Sequence, residues 1–211
     1  MMYETTVRYL GDDEQNKWWL DDIINYRHQG CYGQTEFGHG SNVRGLETTA
    51  TYDPTTEEFV LNSPTITSGK AWPGEMGHTA THGVFHCRLI SKGKDYGVQT
   101  FFAQIRDPQT MKTLEGIEAG ELGPKYGYEP KDNGFLFFKN YRIPRRHLLS
   151  RYVTLSKEGD FSTQGEPRVA YAIMMFIRQW LLVVSYDALA KSCTIAIRYN
   201  IVRTQFKTLP K

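Results

Sequence analysis

The stretch Gly30–Ala50, GCYGQTEFGHGSNVRGLETTA, divides the chain into a helical lead-in and a β-rich body. It holds five glycines, Thr35 flanked by Gln34 and Glu36, and His39. Glycine tolerates positive φ and lets backbone approach a ligand closely. Regular strand chemistry resumes only at its end, over Leu46–Tyr52. A polar, glycine-rich loop that feeds a strand reads as the wall of a ligand site rather than a plain connector.

On its N-terminal side, Asp12 precedes the acidic Asp13 and Glu14, and apolar residues follow at Trp18, Trp19, Leu20, Ile23 and Ile24. An N-cap aspartate and acids in the first turn predict a helix over Asp13–Asn25. It reads as the end of a helical region, not as an element that stands alone.

On the C-terminal side the punctuation changes. Short runs rich in β-branched and aromatic residues predict strands at Leu46–Asp53, Glu58–Ile66, His82–Ser91, Val98–Arg106, Ile117–Gly120 and Gly134–Tyr141, with an edge at Tyr141–Ile143. Turn signals separate them: Asp53-Pro54-Thr55-Thr56, Lys92–Gly97 and Arg106-Asp107-Pro108-Gln109. Strands and turns at this spacing predict an antiparallel sandwich or barrel. Tyr152–Glu166 is polar and reads as a surface excursion. Val169–Arg203 then runs without Gly or Pro and predicts one long helix of roughly 50 Å. The fold class expected is α+β: a central antiparallel β-barrel or sandwich between a short N-terminal helix and one long C-terminal helix.

That helix is apolar enough to raise a membrane span. Arg178, Asp187, Lys191 and Arg198 interrupt its windows, and no run of about 18 uncharged apolar residues is found, so no span is expected. A helix of this length and apolarity still needs a packed face. The β module would cover part of it, so further chain or other subunits are expected to bury the rest.

Hydrophobic residues at 40% and charged residues at 23% are ordinary globular values and argue against disorder. A net charge of +2 makes no case for nucleic acid as partner. Cys31, Cys87 and Cys193 are far apart and form no CxxC pair, which favours reduced thiols and an intracellular compartment. Met1–Gln15 lacks a basic-then-apolar leader, and the terminal TLPK is not a peroxisomal SKL-type address.

Two constellations invite chemistry and two readings each. His78, His82 and His86 are spaced by four, which on a helix would make a metal array, but Gly83–Leu89 reads as strand and no carboxylate lies at a useful spacing. Structural histidines are the better reading. Cys31 near His28 and His39 suggests a nucleophile and base; a buried structural thiol is the commoner arrangement. No P-loop, GxSxG or GxGxxG precedes a helix. A second unusual stretch, Lys70-Ala71-Trp72-Pro73-Gly74-Glu75-Met76-Gly77, sets a Trp beside Pro and Gly. Such a Trp is either buried in a tight turn or presents a flat face to a planar ligand.

Five ordered blocks decide between these readings: GCYGQTEFGHGSNVRGLETTATYD, NSPTITSGKAWPG, LGPKYGYEPKDNGFL, NYRIPRRHLL and KSCTIAIRYNIVRTQ. Together they resemble the peroxisomal acyl-CoA oxidases, flavoenzymes of the acyl-CoA dehydrogenase superfamily, from about Asp12 to Gln205. The resemblance implies a layout: residues 1–29 as the tail of an N-terminal helical domain, 30–160 as the middle β-barrel domain, and 161–211 as the first helix of a C-terminal helical domain. It implies FAD as cofactor and oxidation of an acyl-CoA to its trans-2-enoyl-CoA with formation of hydrogen peroxide.

By the same resemblance Gln34 and Thr35 lie along the flavin, Trp72 packs by its ring and Gly74 touches it. His39, Gly40 and Ser41 line the acyl-CoA channel. Arg203 and Phe206 match an Arg–x–x–Phe that reaches the flavin of a neighbouring subunit, which implies a dimer. The family's catalytic Glu lies in a downstream region, and no carboxylate of this sequence matches it. Ala71 stands where many members carry a second Trp, and Glu75 where they carry Gly. The compartment implied is the peroxisome, with the mitochondrion or another intracellular compartment as the alternative. The rival to an oxidase is a non-catalytic structural or interaction subunit derived from one.

Overall fold

The structure, a computed structural model, describes residues 2–164 and 169–206 and divides into two compact units, Met1–Pro167 and Arg168–Lys211. The first unit opens with two helices, α1 (Met2–Leu10) and α2 (Asp13–Ile24). The Asp12 carboxylate accepts from the amides of Glu14 and Gln15, and the Gln15 side chain accepts from the Asp12 amide at 3.0 Å, a reciprocal cap that fixes where α2 starts. Gln15 is buried. Its Nε2 donates to the carbonyls of Arg146 and Leu148, both at 2.7 Å, so the cap also ties α2 to the β body. Trp19 stacks on Phe102 with ring centroids 4.2 Å apart. α1 was not expected from the sequence; it buries Tyr3, Val7 and Leu10.

Eleven strands are described in this unit: β1 (Gly30–Gly33), β2 (Thr49–Asp53), β3 (Glu58–Asn62), β4 (Lys70–Ala71), β5 (His82–Ser91), β6 (Lys94–Gln104), β7 (Ile117–Glu121), β8 (Gly134–Phe138), β9 (Tyr141–Pro144), β10 (Val153–Leu155) and β11 (Phe161–Thr163). β1, β5, β2, β3 and β9 follow one another in a six-stranded sheet, and β6 pairs the other edge of β5. A second sheet has the order β4-β8-β7, and β10 and β11 form a hairpin in the stretch read as a surface excursion.

An all-antiparallel arrangement does not hold. β5 runs parallel to β1 over His82–Phe85 and parallel to β2 over Arg88–Ile90. β6 occupies one edge of β5, so β1 and β2 lie end to end along the other. The chain from Gln34 to Thr48 therefore leaves that edge and returns to it, and the glycine-rich loop bulges out between two strands of one sheet. The stretch is also less irregular than expected: Gly30–Gly33 is strand, and a short 3-10 turn spans Val43–Gly45. β2 begins at Thr49 rather than Leu46, and β3 ends at Asn62, ahead of a 3-10 turn at Ile66–Ser68. β6 starts four residues early, at Lys94, because the turn at Lys92–Gly93 needs only two residues.

The sheets share one core. Phe59, Phe85, Phe101, Phe138, Leu61, Leu136 and Met76 are fully buried in it, and Phe85 meets Phe138 edge to face at 5.0 Å. Period-two alternation drives this: Leu136 and Phe138 of β8 point inward while Phe135 and Phe137 stay half-exposed.

The second unit is α3 (Val169–Val202), one residue shorter than expected. Within it the hydroxyls of Ser185, Ser192 and Thr194 donate to carbonyls four residues back, and Lys191 pairs with Asp187 at 2.5 Å. Arg178–Val202 has a mean hydropathy of 1.4, long and apolar enough to cross a membrane by length and composition. The charges noted from the sequence still interrupt this stretch, and Asp187 and Lys191 within it pair with each other. Trp180, Leu181, Leu182, Ile195 and Ile197 are exposed.

Candidate functional site

A cleft of about 460 Å³ opens in the first unit. Tyr3 of α1, Cys31 and Tyr32 of β1, and Thr35 form one side; the turn after β4, Trp72 to Glu75, forms another; Tyr128, Lys131 and Asn133 close the third. Two segments remote in sequence thus face one space, and a buried ion pair sets their distance.

Glu36 follows Thr35, and Lys70 precedes Ala71 and Trp72. Lys70 Nζ lies 2.8 Å from Glu36 Oε1, with both side chains at 0% exposure. Charges this deep persist when further hydrogen bonds compensate them. Glu36 also accepts from the Thr48 amide at 3.0 Å, the Thr48 hydroxyl at 2.6 Å and the Glu47 amide at 2.7 Å. Lys70 donates a second bond to the His86 carbonyl at 2.5 Å. The Ala71 amide then donates to the Thr35 carbonyl at 2.9 Å, completing the join between the two loops.

The turn that follows is strained. Trp72 has φ +78° and Glu75 φ +66°, left-handed values that cost residues with a Cβ. Trp72 is nevertheless 54% exposed, its indole held out at the cleft instead of being buried in the turn. Lys131 pairs with Glu75 at the rim, and a methyl on Gly74 would collide with the Lys131 side chain. Behind the turn, buried Arg106 donates to the carbonyls of Met76 and Gly77 at 2.7 Å and of Ala80 at 2.8 Å.

Of the residues singled out from sequence, Thr35, Trp72 and Gly74 line this cleft. Gln34 sits next to it and accepts from the Tyr32 hydroxyl at 3.2 Å. His39, Gly40 and Ser41 lie further along the loop, outside the cleft lining. His39 Nε2 is 2.9 Å from Glu47 Oε1. The Thr65 hydroxyl, then His39 and the Thr67 hydroxyl, hold the Glu47 carboxyl down at about 2. Arg203 donates its amide to the Tyr199 carbonyl at 2.9 Å, and Phe206 is exposed, both in the second unit.

Among the described residues, no three His, Cys, Asp or Glu side chains gather to hold a metal. His78 is exposed beside Glu121, while burial lowers His82 and His86 to about 3. Burial pushes the Cys31 thiol up to about 12, far from a reactive thiolate. Reading the sequence did not single out Tyr3, Lys131, Asn133 or the Glu36–Lys70 pair. Asn133 does stand in the turn signal Asp132-Asn133-Gly134, which is the one local hint; the ion pair spans 34 positions and leaves none.

Residues 171–211 match the model of the acyl-CoA oxidase C-alpha1 domain. The chain is 45% identical over 209 residues to human peroxisomal acyl-coenzyme A oxidase 1, covering 99% of this chain and 32% of that protein. Over nearly its whole length the chain is similar to the acyl-CoA oxidases. Arabidopsis thaliana acyl-CoA oxidase 1 superposes with a TM-score of 0.95 at 42% identity, over 99% of this chain and 32% of that one. Caenorhabditis elegans acyl-CoA oxidase-2, solved with FAD, ascaroside-CoA and ATP bound, superposes with a TM-score of 0.95 at 38% identity, over 99% and 31% of the two chains. The chain spans about a third of the length of the acyl-CoA oxidases it matches.

Proposed function

We propose that this chain supplies the flavin-side wall of an FAD-dependent acyl-CoA oxidase, which converts an acyl-CoA to its trans-2-enoyl-CoA and passes the electrons to dioxygen as hydrogen peroxide. The observation that carries this is the meeting of an exposed Thr35 hydroxyl and an exposed Trp72 indole in one cleft, each held by buried polar contacts. These residues fit the cofactor. A flat aromatic face, a small residue at Gly74 and a hydroxyl donor are the elements that a planar ring rich in acceptors requires.

Bound FAD would accept the substrate's hydride and return the electrons to dioxygen. The protein's part is to bind and orient. The Thr35 hydroxyl and the backbone amides beside it would donate hydrogen bonds to the flavin ring, and such donors favour its electron-rich form. Trp72 would pack against the ring and exclude water. Glu75, the carboxylate in the cleft wall, is engaged by Lys131, so it serves as a rim contact. No carboxylate of this chain is assigned as the base that removes the α proton.

The wider layout follows the family. Residues 1–29 end a helical domain, 30–160 form the middle β-barrel domain, and 161–211 begin the helical domain that supplies Arg203 and Phe206 to a partner's flavin in a dimer. His39, Gly40 and Ser41 lie along the acyl-CoA path, and the compartment is the peroxisome.

The test is an FAD titration of the chain and its Thr35→Val variant, followed by flavin fluorescence. Loss of one hydrogen bond weakens binding by ~1 kcal/mol, about fivefold. Equal affinity of the two proteins would remove Thr35 from the flavin contact.

A further inference from the structure

We propose that Asn133 is the positioning residue for Trp72: it locks the left-handed backbone that keeps the indole turned out into the cleft. Its consequence for a ligand rests on the flavin reading; the clamp itself does not.

A tryptophan has no intrinsic reason to adopt φ +78°. Left to itself the residue would return to the extended or right-handed region and carry its ring elsewhere. The surroundings must over-determine this conformation for it to persist. Three bonds from one short segment do so. The Trp72 amide donates to the Gly134 carbonyl at 2.9 Å, and the Gly134 amide donates to the Pro73 carbonyl at 3.1 Å. Asn133 Nδ2 donates to the Trp72 carbonyl at 2.6 Å. The first two are backbone bonds and involve no side chain. The third depends on a side-chain donor, and it grips the peptide whose rotation decides between left-handed and extended.

Asn133 is itself fixed. It is buried, its amide donates to the Lys131 carbonyl at 2.9 Å, and its carbonyl accepts from the Leu122 amide at 2.9 Å. Asp132 beside it accepts from the amides of His78 and Thr79, both at 2.9 Å, and from the Thr79 hydroxyl at 2.6 Å. Lys131 reaches Glu75, the other left-handed residue of the turn. Consecutive residues of one segment thus hold both ends of the strained turn. Gly134 must be glycine for this approach, since a Cβ there would sit 2.7 Å from the Gly120 carbonyl oxygen.

The experiment labels the chain, which has four tryptophans, with 5-fluorotryptophan and follows ¹⁹F resonances. The Trp72 signal is assigned by its loss in Trp72→Phe. Asn133→Asp keeps the shape and removes the donor at neutral pH. The expected result is that the Trp72 signal moves or splits while the other three hold, and that FAD binds about tenfold more weakly. A Trp72 signal unchanged in N133D overturns the proposal. If the parent itself binds no FAD, the flavin reading fails while the fluorine result still judges the clamp.

A second comparison separates positioning from general stability. Trp72→Gly removes the need for the clamp, because glycine tolerates positive φ. N133D is then expected to lower the melting temperature less in the W72G background than in the parent. Folding of W72G/N133D where N133D alone does not fold has the same meaning. Equal losses in the two backgrounds, or failure of both to fold, make Asn133 a general structural residue and overturn the proposal.

Discussion

Replacing Lys70 by Met tests the central joint of the cleft. Lys70→Met keeps the apolar stem and deletes the ammonium, so Glu36 loses its counter-charge and the His86 carbonyl loses a donor. Removing one partner of a buried ion pair typically costs ~3–5 kcal/mol, most of it the penalty of an uncompensated buried charge. Glu36 keeps three donors, the Thr48 amide and hydroxyl and the Glu47 amide, which places the expected cost near the lower figure, ~3 kcal/mol. For a unit of this size that is a fall in melting temperature of roughly 6–12 °C. Urea denaturation is the assay, because a neutral denaturant leaves the electrostatics unscreened. The loss should persist in about 1 M NaCl, since salt does not reach a pair at 0% exposure. Glu36→Gln combined with Lys70→Met removes both charges and should be more stable than Lys70→Met alone. A cost below about 1 kcal/mol for Lys70→Met, or a double variant no better than the single, would refute the assignment of this pair as the joint between the loops.

Acid should unfold the chain through its buried histidines. Burial, with His28 and His147 nearby, lowers His82 to about 3; burial, with Lys70 nearby, lowers His86 to about 3; burial, with Arg146 nearby, lowers His147 to about 4. The unfolded chain regains the ordinary 6.5, so between about pH 6.5 and 4 it binds more protons than the folded one, and stability falls as the pH drops through that window. Each such histidine contributes a slope of up to ~1.4 kcal/mol per pH unit, and His82→Phe should flatten the profile measured by urea titration at successive pH values; an unchanged slope would count against the buried neutral imidazole. Arg106→Met leaves the carbonyls of Met76, Gly77 and Ala80 without their donor and should cost ~3 kcal/mol or more by thermal melting, with Arg106→Lys recovering part of it.

Local rules found much of the framework. Asp12 as a cap, the Lys92–Gly93 turn and the gap-free run of α3 are written in neighbouring residues, because capping, turn chemistry and helix propagation act over a few positions. α1 was missed because Thr5, Thr6 and Val7 are weak helix formers; its stability comes from docking Tyr3, Val7 and Leu10 in the core. β1 was missed because four residues with two glycines carry little strand signal, and its parallel partner β5 lies about fifty positions away. The two-residue β4 exists only through its pairing with β8 and the burial of Lys70.

The site divides along the same line. Sequence alone determined that Gly30–Ala50 and Lys70–Gly77 were the unusual segments, and the ordered blocks around them carried the family. It determined the chemical types present: a hydroxyl at Thr35, an indole at Trp72, a small residue at Gly74. Tertiary structure decided that these three share one cleft while His39, Gly40 and Ser41 stand outside its lining. It decided that a buried Glu36–Lys70 pair sets the distance between the loops and that Asn133 holds a left-handed tryptophan in place. The physical reason is that burial and ion pairing across 34 positions, and a hydrogen bond across 61, belong to the folded chain as a whole and leave no mark in any short window of sequence.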